Sequence, residues 1–265
     1  MDEIAIIGVG VVGSALKTYF TSKGLRVYTY DKFKEEGSLV SCLSANIIFL
    51  CLPTYFGVDE YDKKDIYITC ESLVNASYQG LVVLKSTVEP GTTKELEQQF
   101  PGLKIVHNPE FLSADTAFKD FTEQTHIVIG GHPSLTRKLY EFYSLYFPTA
   151  EISECASVES ESMKIFINNF YAVKIQFFNE LYLTCKDNGA NFDCVRDMML
   201  KNGWINPQHT RVPGKDGMLS YGGMCFPKDT CALLQYMRKR ELPCAVIDAT
   251  VREREFFRSP FITKK

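Results

Sequence analysis

A chain of 265 residues that is 45% hydrophobic and 23% charged has room for one large or two modest domains, and it carries too much apolar content for disorder to dominate. Its formal charge of -3, with no lysine or arginine run, excludes the electrostatic footprint of a nucleic-acid arm or an anionic-membrane binder, so an anionic ligand must be held locally. The nine cysteines are odd in number, scattered and without a C-x-x-C pair, which argues against a disulfide framework or zinc site and for a reducing, cytoplasmic setting.

Met1-Asp2-Glu3 lead straight into an apolar run without the basic region of a secretory signal, and the longest wholly apolar stretch, Ile47 to Leu52, is too short to span a bilayer. Short β-rich runs follow at helix-length spacing: Ile4 to Ile7, Arg26 to Tyr30, Ile47 to Leu52, Leu81 to Leu84, Lys104 to Val106 and Ile127 to Ile129. Continuous apolar runs of this kind predict parallel strands buried on both faces, hence an α/β, doubly wound Rossmann-type sheet over residues 1–152. Its ligand should lie at the carboxyl ends of the strands.

Beyond residue 152 the strand signals stop, and 153–265 reads as an all-helical central domain. Phe166, Phe170, Val173, Phe177, Leu181 and Cys185 recur at three- and four-residue spacing, one face of a long helix over about 158–187 that Asn188-Gly189 ends. A second helix is predicted over 192–200, then a Gly- and Pro-rich loop over 202–223, in which Trp204 reads as a packing residue, and two closing helices.

Gly8-Val9-Gly10-Val11-Val12-Gly13 follows the first strand at once and opens a helix. The first glycine permits a tight turn, the second lets backbone approach a pyrophosphate, and the third allows close packing of helix on strand. Asp31 ends the second strand, where a carboxylate accepts hydrogen bonds from ribose hydroxyls and repels a 2'-phosphate. The cofactor implied is NAD rather than NADP, although Lys32 and Lys34 stand close enough to neutralise a phosphate.

Cys225 lies in Gly222-Gly223-Met224-Cys225-Phe226-Pro227-Lys228-Asp229, between permissive glycines and a lysine-aspartate pair. A thiol there is a candidate nucleophile for a carbonyl, with Lys228 and nearby backbone amides available to favour the thiolate. Cys42, Cys51, Cys70 and Cys185 read instead as structural thiols. Lys164 and Asn168, four residues apart on the long helix, project from one face and can converge on one oxygen. Asp229 and Glu110 can each orient or deprotonate a water. His107, His126 and His132 are dispersed, so no metal centre is expected.

Three further segments occur in one order: Val83-Leu84-Lys85-Ser86-Thr87-Val88-Glu89-Pro90-Gly91-Thr92-Thr93, then Asn108-Pro109-Glu110-Phe111-Leu112, then the Cys225 segment. In these motifs, and over essentially its whole length, the chain resembles the UDP-glucose/GDP-mannose dehydrogenases. The resemblance implies NAD-dependent oxidation of a nucleotide sugar at C6, from alcohol to carboxylate, with two NAD. It implies an aldehyde captured by Cys225 as a thiohemiacetal, oxidised to a thioester and hydrolysed.

Residue by residue, the resemblance assigns Lys164 and Asn168 to the oxyanion, Asp229 to water activation in the alcohol step, Glu110 to thioester hydrolysis and Thr87 to assistance through water. Cofactor contacts are expected at Gly8, Gly10, Val11, Val12, Gly13, Asp31, Ser86, Thr87 and Lys228. Substrate contacts are expected at Glu110, Phe111, Leu112, Lys164 and Asn168. The loop over 206–217 should cover the nucleotide sugar, with His209 or Arg211 at the diphosphate and Tyr221 with Gly222 against the sugar. A homodimer through the central helix is also implied.

Two departures stand out. The chain reaches Phe256-Phe257-Arg258-Ser259-Pro260 about where the linker to the family's third, nucleotide-gripping domain is expected, so it reads as a short form. Ser113-Ala114-Asp115 displaces by one position the acid that usually follows the Asn108–Leu112 segment. The sequence leaves open UDP or GDP, and glucose or a relative. It also leaves open a two-electron β-hydroxyacid dehydrogenase and an NAD-binding module without substrate binding.

Overall fold

The computed structural model describes residues 3–57 and 59–258; Ser259 and Pro260, at the expected linker, lie outside them. The chain divides into two compact units, one of residues 1–54 and 62–164, the other of residues 55–61 and 165–265.

The first unit is built on β1 (Glu3–Ile7), α1 (Val11–Ser22), β2 (Arg26–Asp31), β3 (Glu36–Gly37), α2 (Leu39–Cys42), β4 (Ile47–Leu50), α3 (Lys64–Asn75), β5 (Leu81–Leu84), α4 (Thr92–Gln99), β6 (Lys104–His107), α5 (Ala117–Thr122), β7 (His126–Gly130), α6 (Pro133–Tyr146) and β8 (Glu151–Cys155). The strands form one sheet in the order β3-β2-β1-β4-β5-β6-β7-β8. Its centre is parallel, as the apolar runs predict, with Ile4 opposite both Val27 and Ile47, and Val82 opposite both Ile48 and Ile105.

Alternation along the strands divides the core in two. Ile4, Ile6, Phe49, Val83 and Val106 pack with α1, α5 and α6 on one face, and Ala5, Ile7, Ile48, Leu50 and Val82 with α2, α3 and α4 on the other. A strand with helices on both faces has no wet side, which is why these segments are continuous rather than alternating apolar runs.

The sheet departs from expectation outside its parallel centre. Two-residue β3 pairs antiparallel to β2, and β6 meets β7 antiparallel through the single pair His107 and Gly130. β8, parallel to β7, extends the strand signal to Cys155. Edge strands bury less, so Glu151-Ile152-Ser153-Glu154-Cys155 lacks the apolar run that marks a central strand.

α7 (Ser157–Asn188) is one helix of 32 residues, and Gly189, at φ 77°, closes it as predicted. The unit boundary falls at Lys164 within this helix, not near residue 152, because its first turns bond into the first unit. Glu161 accepts from Gly91 N at 2.6 Å and from Thr93 N at 2.7 Å, and Ser160 bonds to the buried His107 ring.

The second unit holds the rest of α7 with α8 (Phe192–Lys201), α9 (Phe226–Arg238) and α10 (Ala245–Phe257). Its core forms two groups, one of Tyr61, Ile165, Ala232 and Leu233 and one of Phe178, Cys185, Phe192 and Val212. The periodic phenylalanines are not its core face: Phe166, Phe170 and Phe177 are 52%, 62% and 50% exposed. The buried side carries Ile165, Ala172, Phe178 and Cys185 together with the polar Asn168, Asn169, Gln176 and Asn179. Trp204 is 93% exposed, so it does not pack within the unit.

Candidate active site

In the first unit the expected residues lie at or beyond the carboxyl ends of β1, β2, β5 and β6. The strand order reverses direction between β1 and β4, and an open α/β sheet leaves a crevice there. Packing requires two of the three glycines of the first turn, and the third leaves space open. Gly8 sits at φ 91°, and a Cβ on it would lie 2.5 Å from Cys51 O. A Cβ on Gly13 would lie 2.0 Å from Gly8 O, whereas one on Gly10 meets nothing within 4 Å. Only the middle glycine faces open space, where the amide end of α1 can receive an anion.

Asp31 is locked beside this turn: Oδ2 accepts from Val9 N at 2.8 Å, and Oδ1 from Phe33 N at 3.0 Å and Lys34 N at 3.2 Å. The two lysines that would favour a 2'-phosphate are engaged, Lys32 with Asp65 at 2.6 Å and Lys34 with Val9 O. A cleft of about 120 Å³ lined by Gly8, Tyr30, Asp31, Phe33, Leu39 and Leu52 opens next to the carboxylate. Open space over Gly10, a helix amino terminus and a fixed acid fit a dinucleotide with free ribose hydroxyls. Val11, exposed, and Val12, half-buried, begin α1.

After β5, Ser86 Oγ donates to Leu52 O at 2.6 Å, and Thr87 O accepts from Thr54 Oγ1 at 2.7 Å. Glu110 lies three residues beyond the end of β6. One of its oxygens accepts from Leu112 N at 2.5 Å and the other meets Lys164 Nζ at 3.5 Å. The Lys164 ammonium also lies 5.2 Å from the Phe111 ring centre.

Lys85, given no role from sequence, stands beneath this segment. It donates to Asn108 Oδ1 at 2.9 Å, and burial pulls its ammonium down to about 8. Position in a quoted motif was its only sequence signal.

In the second unit Cys225 is exposed and caps the amino end of α9, an environment that favours negative charge. The other thiols contrast with it: burial pushes Cys42 up to about 11 and Cys51 and Cys70 up to about 12. One turn into α9, the fully buried Asp229 accepts from Lys228 Nζ at 2.6 Å, Asn168 Nδ2 at 2.6 Å and Tyr61 OH at 2.5 Å.

The donors expected to meet on one oxygen therefore rest on two carboxylates, Lys164 on Glu110 and Asn168 on Asp229. Tyr61 was not foreseen, since 168 residues separate it from Asp229 and no local pattern marks it. Its ring also lies 4.6 Å from the Lys228 ammonium.

The predicted covering loop is partly packed. The His209 ring lies 4.7 Å from Tyr171 and 5.5 Å from Phe226, and burial, with the nearby Lys174 charge, lowers its pKa. A neutral ring is a poorer diphosphate ligand than the exposed Arg211. Tyr221 is buried, its hydroxyl 3.2 Å from Thr230 Oγ1 and 3.4 Å from Thr250 O. Among the described residues no cluster of three or more His, Cys, Asp or Glu can hold a metal, and no helix is long and apolar enough to cross a membrane.

Two profiles of one family match this chain: the NAD binding domain of the UDP-glucose/GDP-mannose dehydrogenase family over residues 40–148 and its central domain over residues 158–254. The UDP-glucose 6-dehydrogenase of Rhizobium meliloti is 32% identical over 223 residues, 78% of this chain and 49% of that protein. The chain thus spans about half the length of that relative. A UDP-glucose dehydrogenase structure from the archaeon Pyrobaculum islandicum superposes with a TM-score of 0.85 at 25% identity, over 97% of this chain and 68% of that one. The 3-hydroxyisobutyrate dehydrogenase of Mycobacterium tuberculosis shares the fold alone, with a TM-score of 0.74 at 16% identity over 95% of this chain and 92% of that one.

Proposed function

Since the chain belongs to the UDP-glucose/GDP-mannose dehydrogenase family and its cofactor is NAD, we propose that it oxidises the C6 alcohol of a nucleotide sugar, UDP-glucose in preference, to the carboxylate. NAD when bound accepts hydride, and two equivalents with one water take the alcohol to the acid. Gly8, Gly10, Gly13 and Asp31 hold it, with Val11, Val12, Ser86, Thr87 and Lys228 as the further proposed contacts.

Asp229 activates a water in the alcohol step, with Thr87 assisting. The Cys225 thiolate adds to the aldehyde carbon, forming the C–S bond of a thiohemiacetal, and oxidation of that carbon leaves a thioester. Glu110 then takes a proton from water as its oxygen attacks, and the C–S bond breaks to release carboxylate and thiol. Lys164 and Asn168 stabilise the oxyanion of each tetrahedral stage, exchanging their present carboxylate partners for it. Phe111, Leu112 and Gly222 line the sugar, and Arg211 rather than neutral His209 meets the diphosphate. Tyr221 acts through its backbone, its ring being buried.

The observation that carries this reading is the pairing on α9 of an exposed thiol at the helix amino end with a buried carboxylate one turn later, held by Lys228 and Asn168. A two-electron β-hydroxyacid dehydrogenase shares the fold but has no use for that thiol. Counting NADH per substrate separates them: two per nucleotide sugar supports the proposal, one supports the simpler reaction. Calorimetry that finds NAD binding without nucleotide-sugar binding points to a binding module instead. The exposed Phe166, Phe170 and Phe177 stripe supports a homodimer through α7, tested by light scattering. The scatter and odd number of the nine cysteines support a reducing, cytoplasmic setting.

A further inference from the structure

The segment that leads into Cys225 is held by Arg254 of α10 and by Arg258, which follows the last residue of that helix. Arg258 Nε donates to Leu219 O at 2.8 Å and Nη2 to Ser220 O at 3.0 Å. The same guanidinium grips Asp216 with both ends of its fork, Nη1 to Oδ2 at 2.7 Å and Nη2 to Oδ1 at 3.1 Å. One turn earlier Arg254 Nε donates to Tyr221 O at 3.2 Å. Three consecutive carbonyls, at 219, 220 and 221, thus end on guanidinium groups.

The opposite side of the segment is tied to α7. Ser220 N donates to Asn179 Oδ1 at 2.9 Å and Ser220 Oγ to Gln176 Oε1 at 2.6 Å. Ser220 sits at φ 62°, a left-handed conformation that a residue with a side chain keeps only where its surroundings enforce it. The next glycine completes the arrangement: a Cβ on Gly222 would lie 2.5 Å from Arg258 Nη1. A side chain at 222 would therefore displace the guanidinium from its present place. Hydrogen bonding to Arg258 also holds the Asp216 carboxyl below its usual range.

We propose that Arg258, with Asp216, is a positioning residue for Cys225, a latch that fixes the 216–222 segment and thereby sets the thiol at the amino end of α9. The inference rests on Cys225 being the nucleophile of the reaction above. A planar guanidinium suits this task because its donors lie in a fixed fork, so one side chain binds a carboxylate and two carbonyls in a single plane-defined geometry. Three residues separate the latched strip from Cys225, with Gly223 at φ 77° in the turn. Releasing the strip frees both glycines, and Cys225 loses its fixed backbone at the amino end of α9.

The test uses the intact chain with iodoacetamide and neither NAD nor sugar, reading alkylation of Cys225 against Cys194 by peptide mass spectrometry. Cys194 is exposed on α8 and serves as an internal reference. Thiolate reactivity follows the local electrostatic setting, so Arg258→Gln should lower the Cys225 to Cys194 rate ratio by about threefold or more in folded protein. A smaller fall, or a rise, overturns the latch. Arg258→Lys keeps the charge but not the fork, and full recovery of the ratio in that variant also overturns it.

If Arg258→Gln does not fold, Asp216→Asn decides, with a fall of about twofold or more expected from loss of the charge-assisted half of the grip. In turnover, Arg258→Gln should reduce kcat while leaving KM for NAD unchanged. Should Cys225→Ala still form acid, the functional reading fails, but the alkylation ratio reports on the latch regardless.

Discussion

Around the first turn of the first unit the decisive groups are backbone atoms and missing side chains: Gly8 and Gly13 exclude any Cβ, and Asp31 is held by three main-chain amides. In the second unit the decisive group is a side chain held by side chains, Asp229 under Lys228, Asn168 and Tyr61. The first arrangement is assembled within about thirty consecutive residues and needs only a strand, a turn and a helix. The second draws on positions 61, 168 and 228 and exists only once the unit has folded. A backbone-built half should fail through steric insertion, a side-chain-built half through polar truncation.

The largest effect tests the thiol. Cys225→Ala is expected to reduce carboxylate formation by about 10³-fold or more, with NAD affinity by calorimetry unchanged. Ordinary acid formation in that variant breaks the covalent reading. Asn168→Ala removes a partner of Asp229 together with the proposed oxyanion donor, and kcat should fall by about 10²- to 10³-fold.

Gly13→Ala tests the other half. With Cβ only 2.0 Å from Gly8 O, the turn must open, and NAD affinity should fall by about 10²-fold together with the denaturation midpoint. Unchanged affinity would mean that the turn is not a backbone cradle. Tyr61→Phe keeps the ring over Lys228 and deletes one hydrogen bond to a carboxylate, so turnover should drop by roughly tenfold. If the drop is no larger than for an exposed tyrosine such as Tyr55, the three-donor grip is not what sets Asp229 in place.

The smallest effect concerns stability. His107 is fully buried and burial holds its ring down to about 3, against 6.5 unfolded. Below 6.5 the unfolded chain binds a proton that the folded chain refuses, so this contribution is complete above 6.5 and is lost as pH falls toward 3. Between pH 7.5 and 5 the loss is on the order of 2 kcal/mol, and His107→Asn should flatten that slope in urea titrations. An unchanged slope would place the ring in a better-solvated setting.

Much of the first unit was legible in advance. The apolar runs at Ile4–Ile7 and Leu81–Leu84 became central strands, because a strand covered on both faces leaves a continuous apolar trace. The edge strands β3 and β8 left none. The long helix and its Gly189 stop were equally plain, and the phenylalanine stripe marked a face that the unit leaves exposed, since periodicity marks a face without saying what covers it. Cys225, Lys164, Asn168, Glu110 and Asp229 were singled out through motif and resemblance. Tyr61, Lys85 and the Arg258 latch were not, because each works through partners remote in the chain or unremarkable in type.

By itself, then, the amino-acid order determined the strands, the glycine turn, the acid at the end of the second strand and the presence of a thiol ahead of a lysine-aspartate pair. These follow from local rules: side-chain period, allowed φ and the charge of one residue beside one turn. Tertiary structure decided which groups hold Asp229, that Lys164 and Asn168 rest on separate carboxylates, and that Gly222 yields its space to Arg258. Those are contacts between distant positions, set by how packed elements bring atoms together, and no window along the chain contains both partners.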